Sequence, residues 1–243
     1  NHDLTAGGAG TEYRVYTDVL GLIGQEDNGL VQTEISATFP SFLRKASLNF
    51  TPFFRYSRFD SDFTGVPVSL DANTIQFAPA DFMQRSFLET GMRTELVVRD
   101  AYRYQGSLFW GGTAMLGELV QDSMDFQETT IGINLYLGGK YEKLRFSNFA
   151  TNIFIQLGGL FLIERNIGER VIDDEVLPNA YFKLGFGLKY HPVKDRENEI
   201  YFRFNLTMLP ATLKDSLNFE AIPQIQLGFR SALRFGSGRN SID

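Results

Sequence analysis

Few residue types in this chain are suited to catalysis or to binding a metal ion. The 243-residue sequence contains no cysteine, which excludes disulfide bridges, thiolate metal sites and cysteine nucleophiles. Its only histidines are His2 and His191, too few for a His-rich metal site. Acidic clusters occur at 173–175 and within 122–128, and carboxylates are ligands that Ca²⁺ prefers. Neither cluster matches an EF-hand spacing, so we interpret both as solvated loop residues and predict no metal and no cofactor.

The composition excludes two further classes of protein. Lys and Arg number 23 against 29 Asp and Glu, a net charge of −6, whereas a nucleic-acid binder normally carries a basic stripe. No uncharged apolar stretch reaches the roughly 18 residues of a membrane-spanning helix. The best candidate, residues 153–163, is too short and contains Gln156 and a pair of glycines. We therefore expect neither a nucleic-acid partner nor a helical membrane protein.

The elements that must position the remaining polar residues alternate with a period of two. About ten segments follow this pattern over roughly 9 to 16 residues each. They lie at 12–23, 31–39, 47–56, 88–98, 102–116, 129–137, 149–163, 180–190, 200–208 and 221–235. Their apolar faces comprise 62 positions without a charge, although the chain average of 21% predicts about 13 charges there. The sequence therefore predicts an all-β protein in which one face of the sheet avoids charge.

Two kinds of β-protein show such alternation, a soluble one with its apolar face inward and a transmembrane barrel with that face toward lipid. Three features favour lipid. The segments are long for soluble strands, whereas a tilted membrane strand needs roughly 9 to 11 residues. The polar faces carry many glycines, which suit a crowded lumen. Aromatic residues recur near segment ends, as in interfacial girdles: Tyr13, Phe39, Phe42, Tyr56, Phe59, Tyr102, Phe149, Tyr181, Tyr190, Tyr201, Phe219 and Phe235.

The predicted architecture is an antiparallel up-and-down transmembrane β-barrel of about ten strands, with about eight or twelve as alternatives. Residues 141–146 still alternate and could extend a strand or add one. We predict one barrel domain over residues 11–235, flanked by tails at 1–10 and 236–243. Longer connections are predicted at one end, near 24–29, 60–86, 117–128, 164–178 and 209–218, and shorter turns at the other, near 40–46, 99–101, 139–148 and 191–198.

The last segment, Gln226–Phe235, reads QLGFRSALRF. Together with the alternation over residues 11–235, it resembles the outer-membrane β-barrels of Gram-negative bacteria at the superfamily level. In that family the barrel-assembly machinery reads a C-terminal strand that ends in an aromatic residue. Phe229, Leu233 and Phe235 would form this signal here, although residues 236–243 follow it.

The resemblance also implies a location and a set of partners. The implied location is the bacterial outer membrane, with both termini in the periplasm. The implied partners are the surrounding lipid and lipopolysaccharide. It implies a removed signal peptide as well, so we expect Asn1 to be a processed start.

Enzymes of this barrel class offer a comparison for catalysis. Protease barrels use acidic pairs plus a His at the extracellular rim, and lipase or deacylase barrels use a His–Ser arrangement. His191 lies in a predicted periplasmic turn and His2 in the N-terminal tail. We therefore predict no catalytic residues and no enzyme.

Charged residues on the polar faces are predicted to lie in the lumen. A barrel of about ten strands leaves little room inside, and buried charges must pair because unpaired ones are costly. One interpretation is a lumen cross-braced by ion pairs, and the other is a narrow channel whose excess of basic residues favours anions. The predicted network consists of Glu12, Arg14, Asp18, Glu34, Arg55, Glu89, Arg93, Glu95, Arg103, Arg203, Arg230 and Arg234.

The longest predicted outer loop, residues 61–85, is rich in apolar side chains that include Phe63, Phe77 and Phe82. Such a loop is not expected to stay free in water. It could fold into the mouth of the lumen, lie on the membrane surface, or bind a partner. We predict a non-enzymatic barrel that serves as a structural or accessory subunit of an outer-membrane protein complex. The alternative is a narrow porin-like channel for ions or small solutes.

Overall fold

The computed structural model of the chain describes fifteen stretches of residues that are almost entirely β-strand. No helix in these stretches is long and apolar enough to cross a membrane. The described residues are 10–18, 30–42, 46–59, 65–70, 74–77, 82–83, 85–101, 104–121, 126–146, 148–163, 166–167, 170–172, 179–192, 198–213 and 216–234.

Ten long strands, of 9 to 21 residues, make up most of the described chain. Each overlaps one of the alternating segments, and its two faces are fixed because successive side chains point to opposite sides of a sheet. They are β1 (Gly10–Asp18), β2 (Leu30–Phe42), β3 (Ala46–Phe59), β4 (Leu88–Ala101), β5 (Tyr104–Gln121), β6 (Phe126–Phe146), β7 (Phe149–Leu162), β8 (Asn179–Tyr190), β9 (Asn198–Leu213) and β10 (Ser216–Arg234).

The ten strands pair antiparallel with their sequence neighbours and close into a ring. The first and last strands meet with Thr17 opposite Leu227, and β5 pairs with β6 with Leu116 opposite Ile131. Every strand therefore has two partners, which leaves no edge along the sheet. The predicted antiparallel up-and-down barrel of about ten strands is confirmed.

The outer surface of the barrel is apolar. Leu137 is 61% exposed, and Trp110, Phe186 and Phe229 are also exposed. Apart from Tyr141, every exposed large hydrophobic residue in the described part of the chain lies on a predicted apolar face. A continuous apolar exterior of this kind is a surface for lipid rather than water. The prediction of a transmembrane type of barrel, with its apolar face outward, is confirmed.

Several predicted boundaries and one predicted role are wrong. The turn expected at 139–148 is strand, because β6 continues to Phe146 and β7 begins at Phe149. Strand also replaces most of the loops expected at 117–128 and 209–218. Tyr181 and Tyr201, expected in an interfacial girdle, point into the lumen and are buried, because each lies on the polar phase of its strand.

The two ends of the barrel differ in their connections. One end, called the loop end below, carries the long segments that join β3 to β4 and β7 to β8. The other, called the turn end, joins β2 to β3 and β6 to β7 through two or three residues each. At the turn end His191 N donates to the carbonyl oxygen of Asn148 at 2.8 Å, which ties two neighbouring connections together. His191 therefore lies at the end where the sequence placed it.

Candidate functional site

Glycines on the lumen face receive aromatic side chains from the neighbouring strand. A Cβ atom added at any of four glycines would overlap an aromatic ring, and each ring belongs to the residue directly across the ladder. The pairs are Gly111 with Tyr136, Gly138 with Phe109, Gly158 with Tyr181, and Gly185 with Phe154. Because the rings lie over glycines, they pack along the wall and leave the centre of the lumen open.

Tyr181 shows how firmly such a ring is held. Its hydroxyl donates to Asn134 Oδ1 at 3.1 Å and accepts from Gln156 Nε2 at 2.6 Å. Gln156 lies on the adjacent strand β7 and Asn134 on the next strand, β6, and the ring is buried against Gly158. The ring cannot move without breaking these bonds.

We therefore expect Gly158→Ala to lower the free energy of unfolding by about 1–3 kcal/mol, the usual cost of overpacking. Urea unfolding of the detergent-solubilised barrel would measure the loss. Gly139→Ala is the matched control, since a Cβ there would meet no atom closer than 3.9 Å. Equal stability of the two variants would show that the ring–glycine contact is not tight.

The open centre of the lumen is a chamber with a volume of about 390 Å³. It reaches from Lys189 and Arg230, near the turn end, to Met83 and Met115 toward the loop end. Its wall holds seven basic and three acidic residues, so bases outnumber acids on the described lining even though the whole chain is acidic. They are Arg55, Arg93, Lys140, Lys183, Lys189, Arg203, Arg230, Glu89, Glu95 and Glu199.

One ion-pair cluster is centred on Arg55. Its Nη2 lies 2.8 Å from Glu34 Oε2, and its Nη1 lies 2.8 Å from Glu89 Oε2. The ladder places all three side by side, with Glu34 and Glu89 each directly opposite Arg55 on the two flanking strands. Both carboxylates are buried. Arg55 therefore pairs with two acids at once and cross-links three strands.

The other pairs lie closer to the turn end. Lys189 Nζ lies 2.9 Å from Glu142 and 3.9 Å from Glu199, which also contacts Arg230 at 3.4 Å. Lys140 Nζ lies 2.9 Å from Glu95 Oε1, which also accepts a 2.6 Å hydrogen bond from Ser107 Oγ. These acids are therefore occupied by neighbouring bases.

The structure brings together part of the network predicted from the sequence. Glu34, Arg55, Glu89, Glu95 and Arg230 form the contacts above, while Arg93 and Arg203 line the chamber. The Arg203 guanidinium lies over the Tyr201 ring, 5.5 Å from its centroid. The side chains of Glu12, Arg14, Asp18 and Arg234 lie outside the described residues, as does Arg103.

Sequence reasoning missed three members of the chamber and its ion pairs, Lys140, Glu142 and Glu199. Lys140 and Glu142 lie in the span predicted as a turn at 139–148, although the alternation of residues 141–146 was a usable signal. Glu199 falls between the predicted turn at 191–198 and the segment that begins at residue 200. Lys183 and Lys189 lie on a predicted polar face but were not assigned to the network.

An apolar cap fills the loop end of the lumen. It is defined as the cluster of Val66, Val68, Ile75, Phe77, Phe82, Met115, Leu119, Leu160, Leu162 and Ile172. Its members are buried and come from the β3–β4 and β7–β8 connections and from the inward faces of β5 and β7. Phe82 is fully buried in the space left by Gly117 and Gly132 on adjacent strands. Of the three placements considered for the long loop, the described part adopts the one in the lumen mouth. Phe63 lies outside the described residues.

Short strands bind the cap to the barrel. Val66–Pro67 pairs in parallel with Leu119 and Val120, where β5 extends past the end of β4. Thr74–Gln76 pairs in parallel with Arg170–Ile172 from the other long connection. The cap is thus held by backbone hydrogen bonds as well as by apolar packing.

The cap is also joined to the chamber. Met83 packs against the cap and against buried Tyr181 and Leu209. Ser86 N donates to the Phe82 carbonyl oxygen at 3.1 Å, and Ser86 Oγ donates to Glu89 Oε1 at 3.4 Å. The cap therefore covers the chamber directly and reaches the Arg55 cluster through Ser86.

The predicted assembly signal is described only in part. Phe229 lies exposed on the outer face of β10, and Leu233 lies on the same strand. The Leu233 side chain and Phe235 lie outside the described residues, so the signal stays a prediction.

Comparison with solved structures finds other barrels. The NanC porin is 9% identical, with 93% of this chain and 95% of that chain covered and a TM-score of 0.44. An outer membrane channel from Pseudomonas putida F1 is 10% identical, with 96% and 99% covered and a TM-score of 0.41. The beta domain of the Bordetella autotransporter BrkA is 12% identical, with 92% and 99% covered and a TM-score of 0.40. No protein-family model and no curated protein matches the sequence. The fold assignment therefore rests on the strand pairing and the apolar exterior described above.

Proposed function

We propose that this chain is a non-enzymatic, narrow, porin-like channel of the outer membrane for small anionic solutes. The observation that carries the proposal is the chamber of about 390 Å³ with seven basic and three acidic residues on its wall. Each of those three acids already contacts a base. Glu34 and Glu142 also contact bases of the wall, so seven bases stand against five acids among these described residues. The remaining charge is positive, and a lumen of one charge sign concentrates ions of the opposite sign.

The proposal includes an orientation and a closed state. The loop end faces the cell exterior and both termini lie in the periplasm, as is usual for barrels with longer loops at one end. The apolar cap blocks the outer mouth as described here, so passage requires the cap to move. Lipid and lipopolysaccharide surround the apolar exterior, and the barrel-assembly machinery inserts the chain.

Conductance across planar bilayers tests the channel. We expect purified protein to give stepwise single-channel currents whose reversal potential, in a KCl gradient, indicates preference for chloride over potassium. Arg93→Gln should weaken that preference, because it removes a chamber charge that makes no ion pair with a described residue. Absence of current steps, or a preference for potassium, would overturn the proposal.

A structural or accessory subunit remains the second candidate, and the buried cap favours it because a sealed mouth does not need to open. Trp110, exposed near the middle of the outer surface, offers a place for a neighbouring protein. Purification from native membranes in mild detergent would then yield a stoichiometric partner together with a barrel that carries no current. A monomeric, conducting barrel would exclude this candidate.

A further inference from the structure

We propose that Lys183 is the centre of an oxyanion-binding site in the chamber, completed by Arg203 on the adjacent strand β9. A carboxylate or phosphate group of a small solute is the ligand class. The inference deepens the proposed function, since the site would select the anions that enter the passage.

Lys183 differs from the other lysines of the chamber wall. Lys140 and Lys189 each contact a carboxylate at 2.9 Å. Lys183 makes no ion pair and no hydrogen bond with any described residue. Arg93 also makes neither with any described residue. An ammonium removed from bulk water without a counter-charge is costly.

The surroundings of Lys183 increase this cost. The charges of Arg203 and Arg55 repel it, and Glu89 is the acid that attracts it. Glu89 already binds Arg55 at 2.8 Å. The strand order places β8 opposite β3 and β4, so positive groups face one another across the chamber.

Neither residue directly beside Lys183 on the two flanking strands is an acid. Its partners across the two ladders are Gln156 and Thr207, and the Gln156 amide already donates to the Tyr181 hydroxyl. A bound oxyanion would supply the missing negative charge. Its several acceptor atoms suit the three donors of an ammonium and the planar fork of a guanidinium better than chloride does.

Isothermal titration calorimetry of the folded barrel in detergent tests the site, with inorganic phosphate and acetate as separate probes. We expect at least one probe to bind, and Lys183→Gln to weaken its affinity about tenfold or more, the size of a lost charged hydrogen bond. Lys183→Arg should retain binding. Lys143→Gln is the charge-matched control, because Lys143 lies outside the chamber wall. Equal weakening in Lys183→Gln and Lys143→Gln, binding to neither probe, or equal competition by chloride would overturn the inference.

The two proposals fail separately. Calorimetry requires no current, so phosphate or acetate binding that depends on Lys183 in a non-conducting barrel would reject the channel and keep the site. Chloride-selective current without such binding would reject the oxyanion site and keep the channel. Heat-dependent gel mobility like that of the unsubstituted barrel would show that Lys183→Gln is folded.

Discussion

Arg55→Met should lower the free energy of unfolding of the barrel by about 3 kcal/mol, the lower end of the cost of breaking a buried ion pair. The substitution leaves Glu34 and Glu89 without their shared base, and the side chains of these acids are only 4% and 8% exposed. The lower end applies because Arg55 itself lines the chamber, where the cavity is large enough to hold water. Urea unfolding in detergent or lipid vesicles at neutral pH would measure the change.

Arg93→Met is the matched control for this prediction. It removes the same side chain from the neighbouring strand of the same chamber, but Arg93 forms no ion pair with a described residue. We expect a loss of no more than about 1 kcal/mol there, as for a weakly interacting charge. Losses of similar size in both variants would mean that the Arg55 cluster does not brace the barrel. Raising the ionic strength should change the Arg55 effect little, because buried pairs are poorly screened.

The lipid-facing half of the fold could be predicted from the sequence because its rule is simple. A side chain in contact with lipid must be uncharged, and a strand has only two faces. Once one residue such as Leu137 or Phe186 is known to face lipid, the orientation of its whole strand is therefore fixed. No such rule fixes the residue at which a strand ends, since the alternation of the two faces also continues beyond the membrane. For that reason the strand from Phe126 to Phe146 was cut short at Leu137 in the sequence-based boundaries.

The lumen could be predicted only in outline. From the sequence, Gly158 and Gly185 are two of many glycines on the polar faces, which suit a crowded lumen. The structure shows that each is one half of a cross-strand pair with an aromatic residue. Such pairs depend on register between strands, which the alternation of one strand does not contain. The same holds for the shared contact of Arg55 with Glu34 and Glu89. The polar face identified these residues, but their pairing became visible only when three strands were aligned.

The cap was the least predictable part because its packing joins distant parts of the chain. Phe82 was recognised as an apolar residue in a long loop, with three placements left open. What selects the lumen is the pair Gly117 and Gly132, which leaves room for the ring on two adjacent strands. Neither glycine is distinguishable in the sequence from the many others on polar faces.

Phe82→Ala should raise the open probability of the channel about a hundredfold or more in planar bilayers. Truncation of a buried Phe typically costs about 3–5 kcal/mol, and each 1.4 kcal/mol changes a two-state equilibrium about tenfold. The cost falls on the cap rather than on the barrel, because the strand ladders on either side of Gly117 and Gly132 remain intact. Phe82 is fully buried, and the backbone on both sides of its ring belongs to barrel strands that cannot collapse to fill the space.

Phe161→Ala is the matched control, since Phe161 lies near the same end of the barrel but faces outward and is exposed. It should leave the open probability unchanged, because no member of the cap loses a contact. The increase expected for Phe82→Ala should also come without a change in ion selectivity, since the chamber charges stay in place below the cap. An unchanged open probability in Phe82→Ala would mean that the cap is not what closes the lumen. An altered selectivity would mean that the cap, rather than the chamber, determines which ions pass.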